Sequence, residues 1–155
     1  MSNDTILDLL KELHFTQDFE PQYLEKLAQL ARTAYFPPND ALFKEGDMGD
    51  TIYLITEGQV SIEFYVPGRG PIKVMTLSAG ELVGWSPFFA GKLYTATARA
   101  LIPTHVLAFN GTDLQVLCQV DHALGCVLAW RVAEVVTGRL KATRLQLLDI
   151  FASAD

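Results

Sequence analysis

The apolar residues of this chain change period twice. They recur at helical spacing to about residue 36, alternate in short runs from Ala41 to Phe109, and return to helical spacing after Thr112. A helical pattern cannot serve as a strand, nor a strand pattern as a helix, so the chain is constrained to an antiparallel β unit between helices. Asn3 or Asp4 can cap a first helix carrying Ile6, Leu7, Leu9, Leu10 and Leu13. Phe15 to Phe19 is a break. A second helix carries Tyr23, Leu24, Leu27, Leu30 and Ala31 and ends near Tyr35-Phe36-Pro37-Pro38, where two prolines forbid continuation.

Six short runs follow, at Ala41–Lys44, Thr51–Ile55, Gln59–Val66, Pro71–Leu77, Tyr94–Leu101 and Thr104–Phe109. Val60, Ile62 and Phe64 share one face of their run, and Ser61, Glu63 and Tyr65 the other, as a strand with one buried face requires. Turn residues separate the runs, among them Gly46-Asp47, Gly58, Pro67-Gly68-Arg69-Gly70 and Gly80. Short strands so punctuated indicate an antiparallel jelly-roll (double-stranded β-helix) barrel, with two N-terminal helices before it and a long C-terminal helix after it. Thr112 can cap a short helix over Asp113–Gln119. Leu124, Leu128, Val132, Val135, Leu140, Leu147 and Phe151 then mark a long one from near Asp121 to near Ile150. Gly125 and Gly138 each cost that helix about 1 kcal/mol against alanine. With 155 residues and half of them apolar, the expected organisation is a single domain over 1–155, with helices in 4–34, the barrel in 35–111 and helices in 112–151.

Charge and motif counts exclude several function classes. Twelve basic against 18 acidic side chains give a net charge of −6, which repels a phosphate backbone, so no direct nucleic-acid partner is expected. Arg139, Lys141 and Arg144 form the main basic cluster and are expected to be a solvated helix face. No run approaches the roughly 18 apolar residues of a membrane span, and Met1 to Thr5 has no basic n-region; no membrane association and a cytoplasmic location are expected. Cys118 and Cys126 are expected to be small buried hydrophobes. His14, His105 and His122 match no metal-ligand spacing, so no metal site or cofactor is expected, and no Ser-His-Asp or Cys-His arrangement supports an enzyme.

The order of elements and the turn residues are similar to those of the cyclic-nucleotide-binding domain family. Phe43-Lys44-Glu45-Gly46-Asp47, Asp50, Tyr53-Leu54-Ile55, Gly58 and Val60 resemble its first glycine-turn pattern. Gly80-Glu81-Leu82 resembles the opening of its phosphate-binding cassette, and Thr95-Ala96-Thr97-Ala98-Arg99-Ala100 the strand that closes it. The likeness runs from about Ile6 to Ile150. It implies a catabolite-activator-type sensor domain, here stand-alone and without a helix-turn-helix, whose small-molecule effector would be a cyclic nucleotide or a related compound.

By that resemblance Gly80 permits close backbone approach, Glu81 accepts a ribose hydroxyl, and the N–H groups of Leu82 and Val83 face a phosphate at the start of a short helix. The family's phosphate arginine falls at Tyr94, or at Leu93 with a one-residue shift, and neither side chain carries charge. Lys92 and Thr95 remain as ligand contacts from the same loop, and Arg99 as a second source of positive charge. A lysine does not reproduce the fork of a guanidinium. Desolvating an anion without a full counter-charge is costly, so weak or absent binding of cyclic AMP and cyclic GMP is expected. Trp85, Phe88 and Phe89 either stack on a ligand or fill the pocket as core.

Two functions stay open on these residues. One is a non-catalytic regulatory module that couples a barrel pocket to a C-terminal helix, through which the chain forms a homodimer or meets an unknown protein partner. The other is a ligand-free oligomerisation or interaction scaffold. Leu128, Val132 and Val135 on one stripe, and Val127, Trp130 and Leu145 on others, offer that helix more apolar surface than one barrel can cover.

Overall fold

A computed structural model describes residues 2–89 and 93–153. Helix α1 (Asn3–Glu12), a 3-10 turn (His14–Thr16) and helix α2 (Pro21–Leu30) precede eight strands: β1 (Arg32–Phe36), β2 (Ala41–Phe43), β3 (Thr51–Glu57), β4 (Gln59–Val66), β5 (Gly70–Ser78), β6 (Leu82–Val83), β7 (Thr97–Ala100) and β8 (Thr104–Asn110). A second 3-10 turn (Ser86–Phe88) lies between β6 and β7, and helices α3 (Gly111–Val120) and α4 (His122–Ser153) follow β8. The strands form two four-stranded sheets, β1-β8-β3-β6 and β2-β7-β4-β5, with antiparallel pairing throughout. This is the expected jelly-roll barrel with flanking helices.

Strand β3 shows why the barrel runs read as they do. Ile52 and Leu54 face a helical core with Leu10, Leu24, Leu27, Leu107, Phe109, Leu124 and Leu128. Ile55 faces the barrel interior with Val60, Leu77, Val83, Tyr94 and Val106. Both faces of β3 are therefore buried, and its apolar run is nearly continuous where a one-faced strand would alternate.

Several boundaries differ from expectation. The second helix stops at Leu30, because residues 32–36 pair in full register with β8, from Arg32 opposite Ala108 to Phe36 opposite Thr104. The barrel accordingly begins at Arg32, inside the segment assigned to helices. The caps also moved: the Ser2 hydroxyl accepts from the Thr5 N–H at α1, and Asn110 Oδ1 accepts from the Asp113 N–H at 3.1 Å at α3, in place of Asn3 or Asp4 and Thr112. On β4 the alternation holds at Val60, but Ser61 is fully buried too, its hydroxyl donating to Glu63 and to the Arg99 carbonyl, and Phe64 is exposed. The β4–β5 register shifts between Ile62 and Glu63, and that bulge ends the simple alternation.

Helix α4 carries Leu124, Gly125, Leu128 and Val132 into the core. A Cβ on Gly125 would stand 2.9 to 3.0 Å from Cys118, so glycine there lets α3 and α4 touch. Leu128 and Val132 thus pack within the chain, correcting their assignment to an outward stripe. The outward apolar residues are Trp130, Leu140, Leu145, Leu147, Leu148, Ile150 and Phe151. Cys118 is half-buried, with its thiol pKa pushed up by burial, and Cys126 is exposed, against the expectation that both are core.

Candidate functional site

The barrel opens beneath α4 into a cavity of about 270 Å3, just below the usual range for small-molecule sites. One wall is barrel and cassette, including Phe43, Phe64, Trp85, Tyr94 and Thr95; the other is α4, with Val136, Arg139, Leu140 and Thr143. Beside it, a wider groove of about 420 Å3 runs between the first 3-10 turn, β5 and α4, lined by His14, Gly80, Glu81, Arg131, Glu134 and Arg139.

Gly80 sits at φ +90°, a conformation glycine adopts without a Cβ penalty, and a Cβ there would lie 3.3 Å from the His14 nitrogen. The same turn closes on itself. The Ser78 N–H donates to Glu81 Oε2 at 2.6 Å, and Gly80 N–H donates to the Ile55 carbonyl at 2.7 Å. Leu82 and Val83 do not open a helix: they form β6, opposite Leu54 and Tyr53 of β3, and both are buried. The next turn of helix begins only at Ser86. The assignment of the Leu82 and Val83 N–H groups to the start of a helix is therefore corrected, and Glu81 extends the same pairing, its carbonyl accepting from the Ile55 N–H at 3.1 Å.

Tyr94 is buried and Leu93 is 51% exposed, so of the two positions only Tyr94 points into the barrel. The Tyr94 ring stacks on Phe43 with centroids 3.8 Å apart and planes 10° off parallel. Its hydroxyl donates to the Thr51 carbonyl at 2.7 Å. Gly49 and Gly84 make room for this pair: a Cβ on Gly49 would come within 2.8 Å of the Tyr94 ring, and one on Gly84 within 2.8 Å of Phe43. Burial pushes the Tyr94 phenol up to about 12, with its hydrogen bond to Thr51 opposing. Thr95 is exposed and lines the cavity, and Lys92 lies outside the described residues. Arg99 does not reach the cavity: it pairs with Glu63 at 3.5 Å and donates to the Asn39 carbonyl at 2.8 Å.

Of Trp85, Phe88 and Phe89, Phe88 packs on the helical core, Phe89 is exposed against Phe88, and Trp85 lines the cavity. Over the Trp85 ring, 5.0 Å from its centroid, lies the Arg139 guanidinium, which also donates to the Leu82 carbonyl. Arg139 is thus no solvated residue, unlike exposed Lys141 and Arg144. Burial lowers its pKa to about 10, while the nearby Glu81 charge raises it. The sequence held a signal for this placement, since Arg139 follows Val132 by seven and Val135 by four and so falls on the inner stripe of α4. Phe43, Phe64 and Leu140 were likewise legible as apolar residues but not as cavity walls.

Among the described residues, no three His, Cys, Asp or Glu side chains converge as a metal site would require, and no helix is long and apolar enough to cross a membrane.

The chain's fold resembles that of a cyclic nucleotide-binding domain from Methylobacillus flagellatus, with TM-score 0.81, 23% identity, and 95% of this chain and 83% of that one covered. The N-terminal domain of a transcriptional regulator from Streptomyces coelicolor matches at 27% identity and TM-score 0.71, over 87% of this chain and 94% of that one. The human cyclic nucleotide-gated channel alpha-3 is 35% identical over 78 residues, which are 50% of this chain and 11% of the channel. The chain spans about a tenth of the length of the channel relatives it matches first. Residues 33–121, from the second residue of β1 through the whole barrel and α3, match the model of the cyclic nucleotide-binding domain, and the chain belongs to that family.

Proposed function

We propose that the chain is a non-catalytic regulatory module in which occupancy of the barrel cavity sets the position of α4. The observation that carries this reading is the composition of the cavity's walls: barrel and cassette on one side, Val136, Arg139, Leu140 and Thr143 of α4 on the other. A ligand that touches both walls binds differently when α4 moves, and differential binding is what couples a pocket to a helix. Homodimerisation through α4 belongs to the same reading. Trp130, Ala133, Thr137, Leu140, Arg144, Leu147 and Phe151 follow one another at alternating steps of three and four and are all exposed, the spacing of a two-helix seam.

A cyclic phosphate does not fit the barrel wall as family members hold it. The position of the arginine is a tyrosine stacked on Phe43, and Leu82 and Val83 are strand residues. Cyclic AMP and cyclic GMP therefore bind with Kd above roughly 100 μM, since the absent charge-assisted contact is worth about 1.5 to 3 kcal/mol. Calorimetry on the chain and on Tyr94→Arg tests this. The variant gains at least tenfold in affinity, about 1.4 kcal/mol, and Leu93→Arg, whose side chain starts from an exposed position, gains nothing. Low-micromolar binding by the unaltered chain would overturn the assignment. The second reading, a ligand-free scaffold, draws support from the same Phe43–Tyr94 stack. A thermal-shift screen separates the two, because a ligand at 100 times its Kd adds about 2.7 kcal/mol to a folded sensor and nothing to a scaffold.

A further inference from the structure

Among the described residues, Arg139 is the one charged side chain in the lining of the 270 Å3 cavity. No carboxylate stands within ion-pair distance of it: the ion pairs among the described residues are Lys26–Asp121 and Arg99–Glu63. Its partners are the Trp85 ring face and the neutral Leu82 carbonyl. Arg139 also borders the neighbouring groove, where Arg131 stands with Glu81 and Glu134; among the described residues neither carboxylate lines the cavity, so an anion there meets the guanidinium without a competing acidic group. Glu81 acts on this guanidinium only through space and not as a hydrogen-bonded partner, and a carboxylate or similar group satisfies its fork better than one carbonyl does.

We propose that this cavity takes a small organic anion with a flat apolar body, its acidic group paired with Arg139 and its body between Trp85, Phe64 and Leu140. The proposal rests on the regulatory reading and deepens it by naming the ligand's chemistry and orientation. The charge is held by α4, the opposite wall from the one where the cassette arginine is missing. Pairing with the anion draws the guanidinium from the Leu82 carbonyl, so the contact that fastens α4 to β6 is exchanged for a contact to the ligand. Ser86 and Thr95 bring hydroxyls to the same lining and set the polar rim.

The test compares 2-naphthoate with its neutral isostere 2-naphthamide by calorimetry on the full chain. Naphthoate binds at least about tenfold more tightly than the amide, Arg139→Gln removes that preference while leaving amide binding in place, and Arg139→Lys restores part of it. Lys141→Gln, which removes an exposed charge two residues further along α4 and outside the seam, leaves both affinities unchanged. Equal binding of the two probes to the unaltered chain overturns the proposal whether or not the variants fold, as does binding of neither, and so does an equal loss in Arg139→Gln and Lys141→Gln. Amide binding without preference for the carboxylate sinks the anion assignment and leaves the regulatory reading standing, which the thermal-shift screen judges separately.

Discussion

The two halves of α4 carry similar apolar residues to opposite destinations. Before Val136 they enter the chain's own core, with Leu124 at 0% and Leu128 and Val132 at 4% exposure, and Trp130 is the exception. From Leu140 to Phe151 they remain outside, between half and two-thirds exposed. One half is fixed by neighbours on every element around it, including Arg131, which donates to the carbonyls of His14, Phe15 and Gln17. The other half touches the barrel by single tethers, Arg139 to Leu82 and Gln146 to Val74. Hydropathy alone does not tell a helix what to bury. Past Val136 the barrel lies along one stripe of the helix, Arg139, Thr143 and Gln146, and the apolar residues on its other faces stay exposed.

The largest expected effect breaks this contrast outright if it is wrong. Val132→Asp places a carboxylate in the helical core and costs several kcal/mol, enough to unfold a domain of ordinary stability. Leu147→Asp leaves the monomer's urea midpoint unchanged and acts only on assembly, seen as a lower mass by light scattering. A Val132→Asp chain that stays folded and merely dissociates would show the stripe to be intermolecular after all.

Asp121 sharpens the contrast at the start of the fixed half. Its carboxylate accepts from the Leu124 N–H at 3.1 Å and pairs with Lys26 at 2.5 Å, and the hydrogen bond to Lys26 foremost holds its pKa below the usual carboxylate range. A depressed folded pKa contributes stability that is present above the ordinary carboxylate value and lost as pH falls through the folded one. Asp121→Ala therefore lowers the melting temperature at neutral pH, and the difference from the unaltered chain shrinks on acidification. A difference that persists in acid would assign the loss to something other than the charge.

The smallest effect lies in the free half. Gln146→Ala removes the tether to the Val74 carbonyl and leaves the melting temperature where it was, while amide hydrogens of residues 140–153 exchange faster by a few fold. Unchanged exchange would mean that the tail is held by its seam and not by the barrel.

Most of the barrel was legible because its runs are short, its turns carry glycine where positive φ is needed, and its helices keep their spacing. What was missed was decided by pairing rather than by local pattern. Arg32 to Phe36 continue the spacing of α2, yet Thr33, Tyr35 and Phe36 are good strand formers, and the open edge of β8 claims them. Leu82-Val83 is too short to signal a strand and becomes one by pairing with β3. The inward orientation of Tyr94, and its stack on a residue 51 positions earlier, is a property of barrel closure and has no local signature. Arg139 was misread for a different reason. A basic residue on an inner helical stripe is assigned to solvent by composition, while its long stem and flat head suit an aromatic wall.

Gly138 stands between the two halves of α4, and a Cβ there would meet nothing within 4 Å. No crowding requires glycine at that point, so what the residue gives the helix is compliance. From Gly138 to Ser153 the helix projects about 22 Å at 1.5 Å per residue, and each degree of flexure at the glycine displaces its tip by about 0.4 Å. Arg139 is the next residue along. A contact made or released there acts at the hinge end of a long arm, where a small movement at the pivot becomes a large one at the tip.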